Sequence, residues 1–280
     1  MKKLRSIVIK ILTVTVGNIM LVLFPKRAKE LQIQGLSFFV DNNPTITDKL
    51  MRRALLKKAE NAGAESLASI HKDFWINQGH EFCSKYEERL VNNDLPKSEF
   101  IFDLLQKKLA NTQIKYDSLV EIGCGNGYIL SYLSKKFPDI QRFIGVDLSL
   151  DQIKLNEIKY AGNKKLEFVA KDINDWIAIN PQGNSIFVTF MGVLEYFTQN
   201  QLESLIQHLS TLNNIVFIAI EPIGLDHDFN SNPKSQIYGH EHSFSHNYPK
   251  QFQEASFTIW HLSFLSNNQF SRLCFLGAEN

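Results

Sequence analysis

The chain has 280 residues, of which 44% are hydrophobic and 21% charged, a composition that excludes disordered, collagen-like and multi-span membrane proteins. Thirty basic and 29 acidic residues leave a net charge of +1, so the overall charge does not predict a nucleic-acid partner. Three widely spaced cysteines without a CxxC pair predict reduced thiols in the cytoplasm and no zinc site: Cys83, Cys124 and Cys274.

The first thirty residues differ from the rest of the chain in charge. They hold seven basic residues and one acid, whereas the remaining 250 residues carry a net charge of −5. An apolar stretch over residues 6–24 lies between the basic clusters, and no signal-peptidase site follows it. One face of this stretch, as a helix, would carry small or polar residues, namely Ser6, Lys10, Thr13 and Gly17. Residues 1–30 are therefore predicted either to attach to an anionic membrane surface, on its cytoplasmic face, or to pack on this chain or on a second copy in a homodimer.

Residues 31–112 predict a helical cap, with helices over 45–65, over 71–92 and from about residue 98. From residue 116 onwards, strands and helices alternate. The predicted strands are 118–122, 142–146, 166–170, 185–190 and 215–220, followed by a terminal pair at 257–265 and 270–276. This alternation predicts an α/β fold over residues 113–280, with a doubly wound, mostly parallel, seven-stranded Rossmann-like sheet and an antiparallel last strand.

A glycine-rich turn, EIGCGNG over residues 121–127, stands directly between the first predicted strand and the helix after it. Glycines allow the backbone to approach a ligand closely, and the following helix begins with free N–H groups. The dinucleotide fingerprint G-x-G-x-x-G/A would need a small residue at position 128, where this chain has Tyr128. The pattern therefore disfavours a pyrophosphate ligand.

Acidic residues occur at the ends of three predicted strands: Glu121, Asp147 and Asp172. A carboxylate at the end of the second strand can accept hydrogen bonds from the hydroxyl groups of a ribose. Three carboxylates at one sheet edge would repel pyrophosphate and attract a cationic nucleoside.

Four stretches together resemble the class I S-adenosylmethionine-dependent methyltransferases: VEIGCGNGY (120–128), IGVDLS (144–149), FVAKD (168–172) and FMGVLEYF (190–197). The resemblance covers roughly residues 97–280 and implies S-adenosylmethionine as the cofactor. It implies that the glycine turn brackets the methionine part, that Glu121 faces the amino group, that Asp147 binds the ribose, and that Asp172 binds the adenine. The full set of implied cofactor contacts is Glu121, Gly123, Cys124, Gly125, Gly127, Asp147, Leu148, Asp172, Ile173 and Met191.

The loop over residues 224–247 is rich in histidine and follows the fifth predicted strand at the same sheet edge. A histidine there can act as a general base near neutral pH, and we assign this catalytic role first to His246 and second to His242. The spacing matches no established ligand pattern, so no metal is predicted. A structural loop, whose histidines cap and hydrogen-bond, remains the alternative. In the cap, Trp75, Gln78 and Tyr86 are predicted to contact the acceptor.

The predicted function is methyl transfer to oxygen of a small-molecule, glycan or lipid-like acceptor. No Asn/Asp-Pro-Pro-Tyr segment follows the fourth strand, which disfavours methylation of a nucleobase or glutamine nitrogen. Two alternatives remain open at this stage. One is an NAD-type Rossmann oxidoreductase, and the other is a non-catalytic cofactor-binding partner of another enzyme.

Overall fold

The structure, a computed structural model, describes residues 14–36, 44–180 and 183–280. Residues 1–13 of the predicted attachment segment, with Ser6, Lys10 and Thr13, lie outside these ranges. The chain divides into two compact units, one of Met1–Gln78 with Tyr238–Ser243 and the other of Gly79–Ile237 with Phe244–Asn280. The division therefore falls at residues 78/79, inside the predicted cap.

In the first unit, the described residues before Gln78 are mostly helical. Its helices are α1 (14–23), α2 (Pro25–Gln34), α3 (Ile46–Ala62) and the first part of α4 (Ala64–Arg89). The Thr45 side chain caps α3 by accepting from the Asp48 backbone N–H, and Arg27 of α2 donates two 2.9 Å hydrogen bonds to the Asp48 carboxylate. The core of this unit holds fully buried apolar residues, among them Leu31, Met51, Leu56 and Leu67.

Two predicted helices of the cap are joined in the structure. A π-helical turn, Leu90–Asp94, leads from α4 directly into α5 (Leu95–Ala110). Pro96, just after this turn, has no N–H to donate, and the π-helical turn, in which the Leu95 N–H bonds to the Leu90 carbonyl, carries the helix past the proline.

In the described part of the second unit, seven strands form one sheet in the order β3-β2-β1-β4-β5-β9-β8. The strands are β1 (Ser118–Ile122), β2 (Arg142–Asp147), β3 (Leu166–Ala170), β4 (Ser185–Phe190), β5 (Ile215–Gly224), β8 (Thr258–Ser266) and β9 (Ser271–Glu279). β1 to β5 pair in parallel, and β9 runs antiparallel to both β5 and β8. The predicted fold class, including the antiparallel last strand, is confirmed. A short second sheet pairs β6 (Gln236–Tyr238) with β7 (Ser243–Ser245).

Helices cover both faces of the large sheet. They are α6 (Tyr128–Lys136), α7 (Leu150–Lys159), α8 (Ile173–Ile179), α9 (Gln199–Ser210) and α10 (Tyr248–Glu254), with a 3₁₀ turn at Leu194–Tyr196. Neighbouring strand residues point to opposite faces, so Leu119 and Val120 belong to different hydrophobic clusters. Since β1 to β4 are parallel, the turns that follow them lie along one edge of the sheet. None of the helices in the described ranges has the length and apolar character needed to cross a membrane.

Candidate functional site

The turn after β1 is built from three glycines with left-handed backbone angles. Their φ values are 68° at Gly123, 47° at Gly125 and 70° at Gly127, a region that side chains disfavour. A Cβ at Gly123 would come within 2.7 Å of the Val193 side chain, and one at Gly127 within 2.8 Å of the Phe168 ring. Both conformation and space therefore require glycine, and the turn presents bare backbone at the sheet edge.

Asp147 is the last residue of β2, and its carboxylate links the end of this strand to the glycine turn by hydrogen bonds. One carboxylate oxygen accepts from the Gly125 N–H and the other from the Ser149 N–H, each at 2.9 Å. Burial raises the pKa of Asp147, and the bonds from Ser149, Gly125 and Leu148 oppose that rise. Each oxygen has two acceptor sites, so the carboxylate can still accept from a ligand hydroxyl.

A buried amide on α7 fixes the same turn from the other side. Asn156 is fully buried, and its side-chain N–H donates a 2.7 Å hydrogen bond to the Gly125 carbonyl. Gln152 in turn donates to the Asn156 side-chain oxygen at 2.8 Å. Sequence reasoning missed both residues, although two amides four positions apart share a helix face.

Glu121 lies beneath the turn, with only 2% of its surface exposed. Burial raises the pKa of Glu121 well above its usual range, the Leu130 N–H opposes this, and the charge of Asp147 raises it further. Its Oε2 has no hydrogen-bond partner among the described residues. A buried acceptor without a donor is costly, so this oxygen fits a ligand that brings an N–H group.

Four further residues belong to the predicted cofactor contacts, namely Cys124, Leu148, Asp172 and Ile173. Asp172 is the N-cap of α8 and accepts from the Asn174 N–H at 3.0 Å. Ile173 and Cys124 are both buried. Their contacts with a cofactor stay predictions, as does that of Leu148.

The turn after β4 lies at the same end of the sheet as the glycine turn. Glu221, a residue that the sequence analysis did not identify, holds this turn in place. Met191 and Gly192 have φ values of 61° and 99°. The fully buried Glu221 of β5 accepts from the Val193 N–H at 3.0 Å and the Leu194 N–H at 3.1 Å. Burial raises the pKa of Glu221 to about 7, and these bonds oppose a larger rise. One acid inside the apolar run 215–223 was the available signal.

His246, the predicted general base, lies in the interior with no exposed surface. Its Nε2 is 3.0 Å from the Leu194 carbonyl, which only accepts, so Nε2 carries the proton and Nδ1 accepts from the Ser235 hydroxyl at 2.7 Å. Burial lowers the pKa of His246 to about 3. Both ring nitrogens are thus occupied by the protein, an arrangement that matches the structural alternative and leaves neither nitrogen for a substrate proton.

The other loop histidines also have structural partners. His227 bonds the Ser245 hydroxyl at 2.8 Å and the Asn232 carbonyl at 2.9 Å. His242, the second predicted base, belongs to the first unit, where its Nδ1 lies 3.1 Å from a Glu60 oxygen and burial lowers its pKa. In the parts of the chain described, no three histidine, cysteine or acidic side chains converge as a metal site would need.

The predicted acceptor contacts fall in both units. Trp75 and Gln78 belong to the first unit and Tyr86 to the second. Tyr86 stacks on Phe82 with ring centroids 4.3 Å apart. Their contact with an acceptor stays a prediction.

Comparison with known proteins gives a family match and a set of similar folds. Residues 119–213, from β1 to beyond α9, match a family model described as a methyltransferase domain. No curated protein matches the sequence. Among solved structures, the magnesium protoporphyrin IX methyltransferase of Synechocystis PCC 6803 with bound SAH is 16% identical with a TM-score of 0.51, over 76% of this chain and 99% of that chain. A chain of the Haloferax volcanii complex with the Trm112 methyltransferase activator is 14% identical with a TM-score of 0.50, over 72% and 97%.

Proposed function

Because this chain belongs to the class I S-adenosylmethionine-dependent methyltransferases, we propose that it methylates an oxygen atom of a small-molecule, glycan or lipid-like acceptor. The family, the cofactor and the enzymatic nature predicted from the sequence are confirmed. The NAD-type oxidoreductase and the non-catalytic module are set aside accordingly.

The observation that carries the cofactor site is the buried Oε2 of Glu121, which lacks a partner beside the glycine turn. S-adenosylmethionine, when bound, supplies a methyl group on a positively charged sulfur. Glu121 would accept from its amino group, Asp147 would accept from its ribose hydroxyls, and Met191 would help to keep water from the sulfur. Carboxylates at this edge favour a ligand that carries positive charge.

Proton balance distinguishes the possible oxygen acceptors from one another. Methyl transfer to a neutral hydroxyl needs a base, whereas a carboxylate acceptor has already lost its proton. Since both nitrogens of His246 are bonded to the protein, the geometry supports an acceptor that arrives ionised, a carboxylate or an acidic hydroxyl. The sequence after β4, FMGV, also lacks the segment typical of nitrogen methylation.

The proposal is tested with methyl-labelled S-adenosylmethionine and a panel of fatty acids, phenols, glycans and amines. We expect S-adenosylhomocysteine to form together with a labelled oxygen-methylated product, which is either a methyl ester that releases methanol in alkali or an ether that does not. A product stable to alkali would be an ether or a methylated amine, which mass spectrometry separates. A methylated amine would refute oxygen as the acceptor atom.

We also place the enzyme in the cytoplasm. All three cysteines are free thiols, as expected for a reducing compartment. Burial raises the pKa of Cys83 and of Cys274 to about 12, so both thiols stay protonated and unreactive. Cell fractionation with an antibody to the protein tests this assignment.

A further inference from the structure

Helix α1 (14–23) exposes its apolar side chains. Val16 is 38% exposed, Ile19 53%, Val22 80% and Leu23 62%, and Phe24 directly after the helix is 50% exposed. We call these five residues the apolar stripe. Single exposed apolar residues are common, but a contiguous group of this kind marks an interaction surface.

The opposite side of α1 faces the protein. Gly17 is buried, and a Cβ there would clash with the Leu50 carbonyl oxygen and lie 2.8 Å from the Ala54 Cβ. The missing side chain thus lets α1 lie close against α3. Gly17 is the one described member of the small and polar face predicted from the sequence, and it points inward while the apolar stripe points outward.

Positive charge borders the apolar stripe. Lys26 and Lys29 of α2 are exposed and have no ion pair among residues 14–36, 44–180 and 183–280. Arg27 between them is neutralised by Asp48 and Glu30, each at 2.9 Å. In the sequence, four more cations precede α1, namely Lys2, Lys3, Arg5 and Lys10.

We propose that the apolar stripe, with Lys26 and Lys29, docks onto the surface of an anionic lipid bilayer. Interfacial helices combine an apolar face with basic residues at the level of the lipid headgroups. A symmetric contact with a second copy would place the basic groups of both chains at one interface, whereas an anionic lipid surface supplies the opposite charge. Charge complementarity therefore selects the anionic membrane as the occupant. The inference does not depend on which acceptor is methylated.

Flotation of the full-length protein with vesicles tests the proposal. We expect binding to vesicles of phosphatidylcholine with phosphatidylglycerol, weak binding to phosphatidylcholine alone, and a bound fraction that falls as salt is added. The double variant Ile19→Glu/Val22→Glu should lower the partition coefficient at least about tenfold, since it places two charges in the apolar stripe. The matched control is Ile158→Glu on α7, a side chain that is 77% exposed in the second unit, and it should bind as wild type.

Charge reversal and oligomeric state complete the test. Lys26→Glu/Lys29→Glu should abolish the preference for anionic vesicles. Wild-type binding by the stripe variant, equal binding to both vesicle types, or no binding would each overturn the proposal. So would sedimentation that shows a dimer of the wild type and a monomer of the stripe variant, because a second copy would then be the occupant. Calorimetry with S-adenosylmethionine, unchanged in these variants, shows that they are folded and keeps this result separate from the proposed function.

Discussion

Asp147 has a structural and a ligand-binding role at the single-residue scale, because its carboxylate holds the Gly125 N–H and remains able to accept from a ribose. In Asp147→Asn, one oxygen becomes an NH₂ group that faces a backbone N–H and cannot accept. Hydrogen bonds to charged groups contribute about 1.5–3 kcal/mol, so we expect the Kd for S-adenosylmethionine to rise roughly tenfold to a hundredfold. Titration calorimetry measures this. Asp151→Asn, an exposed acid at the start of α7, is the control and should leave the Kd unchanged.

Glu121 makes a separate prediction, because burial raises its pKa well above the usual range. A positively charged ligand beside it favours the ionised carboxylate, so cofactor binding should release a proton. The Glu121→Gln variant cannot release this proton and should bind more weakly. Calorimetry in two buffers with different ionisation enthalpies counts the protons, and Glu167→Gln on β3 is the matched control. An equal proton release from wild type and Glu121→Gln would contradict the assignment.

At the scale of elements, Glu221 connects β5 to the turn after β4, and the Val193 side chain of that turn packs over Gly123. Both N–H groups donate to Oε2, and the Val193 N–H also reaches Oε1 at 3.3 Å. In Glu221→Gln, an NH₂ group replaces one of these oxygens and cannot accept, so at least one bond is lost and the turn loosens. We expect a roughly threefold to tenfold weaker Kd for S-adenosylmethionine, from the loss of about 1 kcal/mol. Hydrogen exchange at the Val193 and Leu194 amides should accelerate.

The control for this variant is a substitution at Asn280, which lies at the start of β5, at the end of the sheet opposite the glycine turn. Asn280 accepts from the Ile215 N–H and donates to the Leu212 carbonyl, each at 2.8 Å. Asn280→Ala should therefore lower Tm without changing the cofactor Kd. Unchanged protection of Val193 and Leu194 in Glu221→Gln would show that Glu221 does not hold the turn.

The elements that were predicted correctly from the sequence are those whose sequence pattern lies within the element itself or directly beside it. Each strand is a short apolar run bounded by turn residues, and the glycines and Asp147 stand at strand ends by sequence alone. Helix α8 was missed because seven residues give too short a period to recognise. Likewise, separate helices were predicted over 71–92 and from about residue 98, because the π-helical turn that joins them leaves no signal in the apolar pattern.

The environments of several site residues depend on contacts distant in the chain. His246 looked like a base in a polar loop, yet its bond to the Leu194 carbonyl spans 52 positions and places it in the core. Glu221 and Asn156 hold turns 28 and 31 positions away. Only the folded chain shows which of its polar residues end up buried and which backbone groups they meet.

Over the whole molecule, buried acids and buried histidines give stability opposite dependences on pH. His246 has a pKa of about 3 against 6.5 for a free side chain, so as the pH falls the unfolded chain binds a proton at this residue before the folded chain does. Its contribution to stability is complete above about pH 6.5 and is lost as the pH falls towards 3. Glu221 has a pKa of about 7 against 4.5 for a free side chain, so on raising the pH the folded chain keeps this proton to a higher pH than the unfolded chain does. The contribution of Glu221 to stability is therefore complete below about pH 4.5 and is lost as the pH rises towards 7.

Two substitutions should separate these contributions in thermal unfolding between about pH 5 and pH 8. Each pKa unit is worth about 1.4 kcal/mol, so both effects should be visible as shifts in Tm of several degrees. Relative to wild type, Glu221→Gln should gain Tm as the pH rises, because glutamine carries no charge into the core. His246→Gln is destabilised at neutral pH by its lost hydrogen bonds, and its deficit should shrink as the pH falls, because it has no imidazole to protonate. Its turnover per folded molecule should stay close to that of wild type, whereas loss of turnover with the fold intact would restore His246 as the catalytic base.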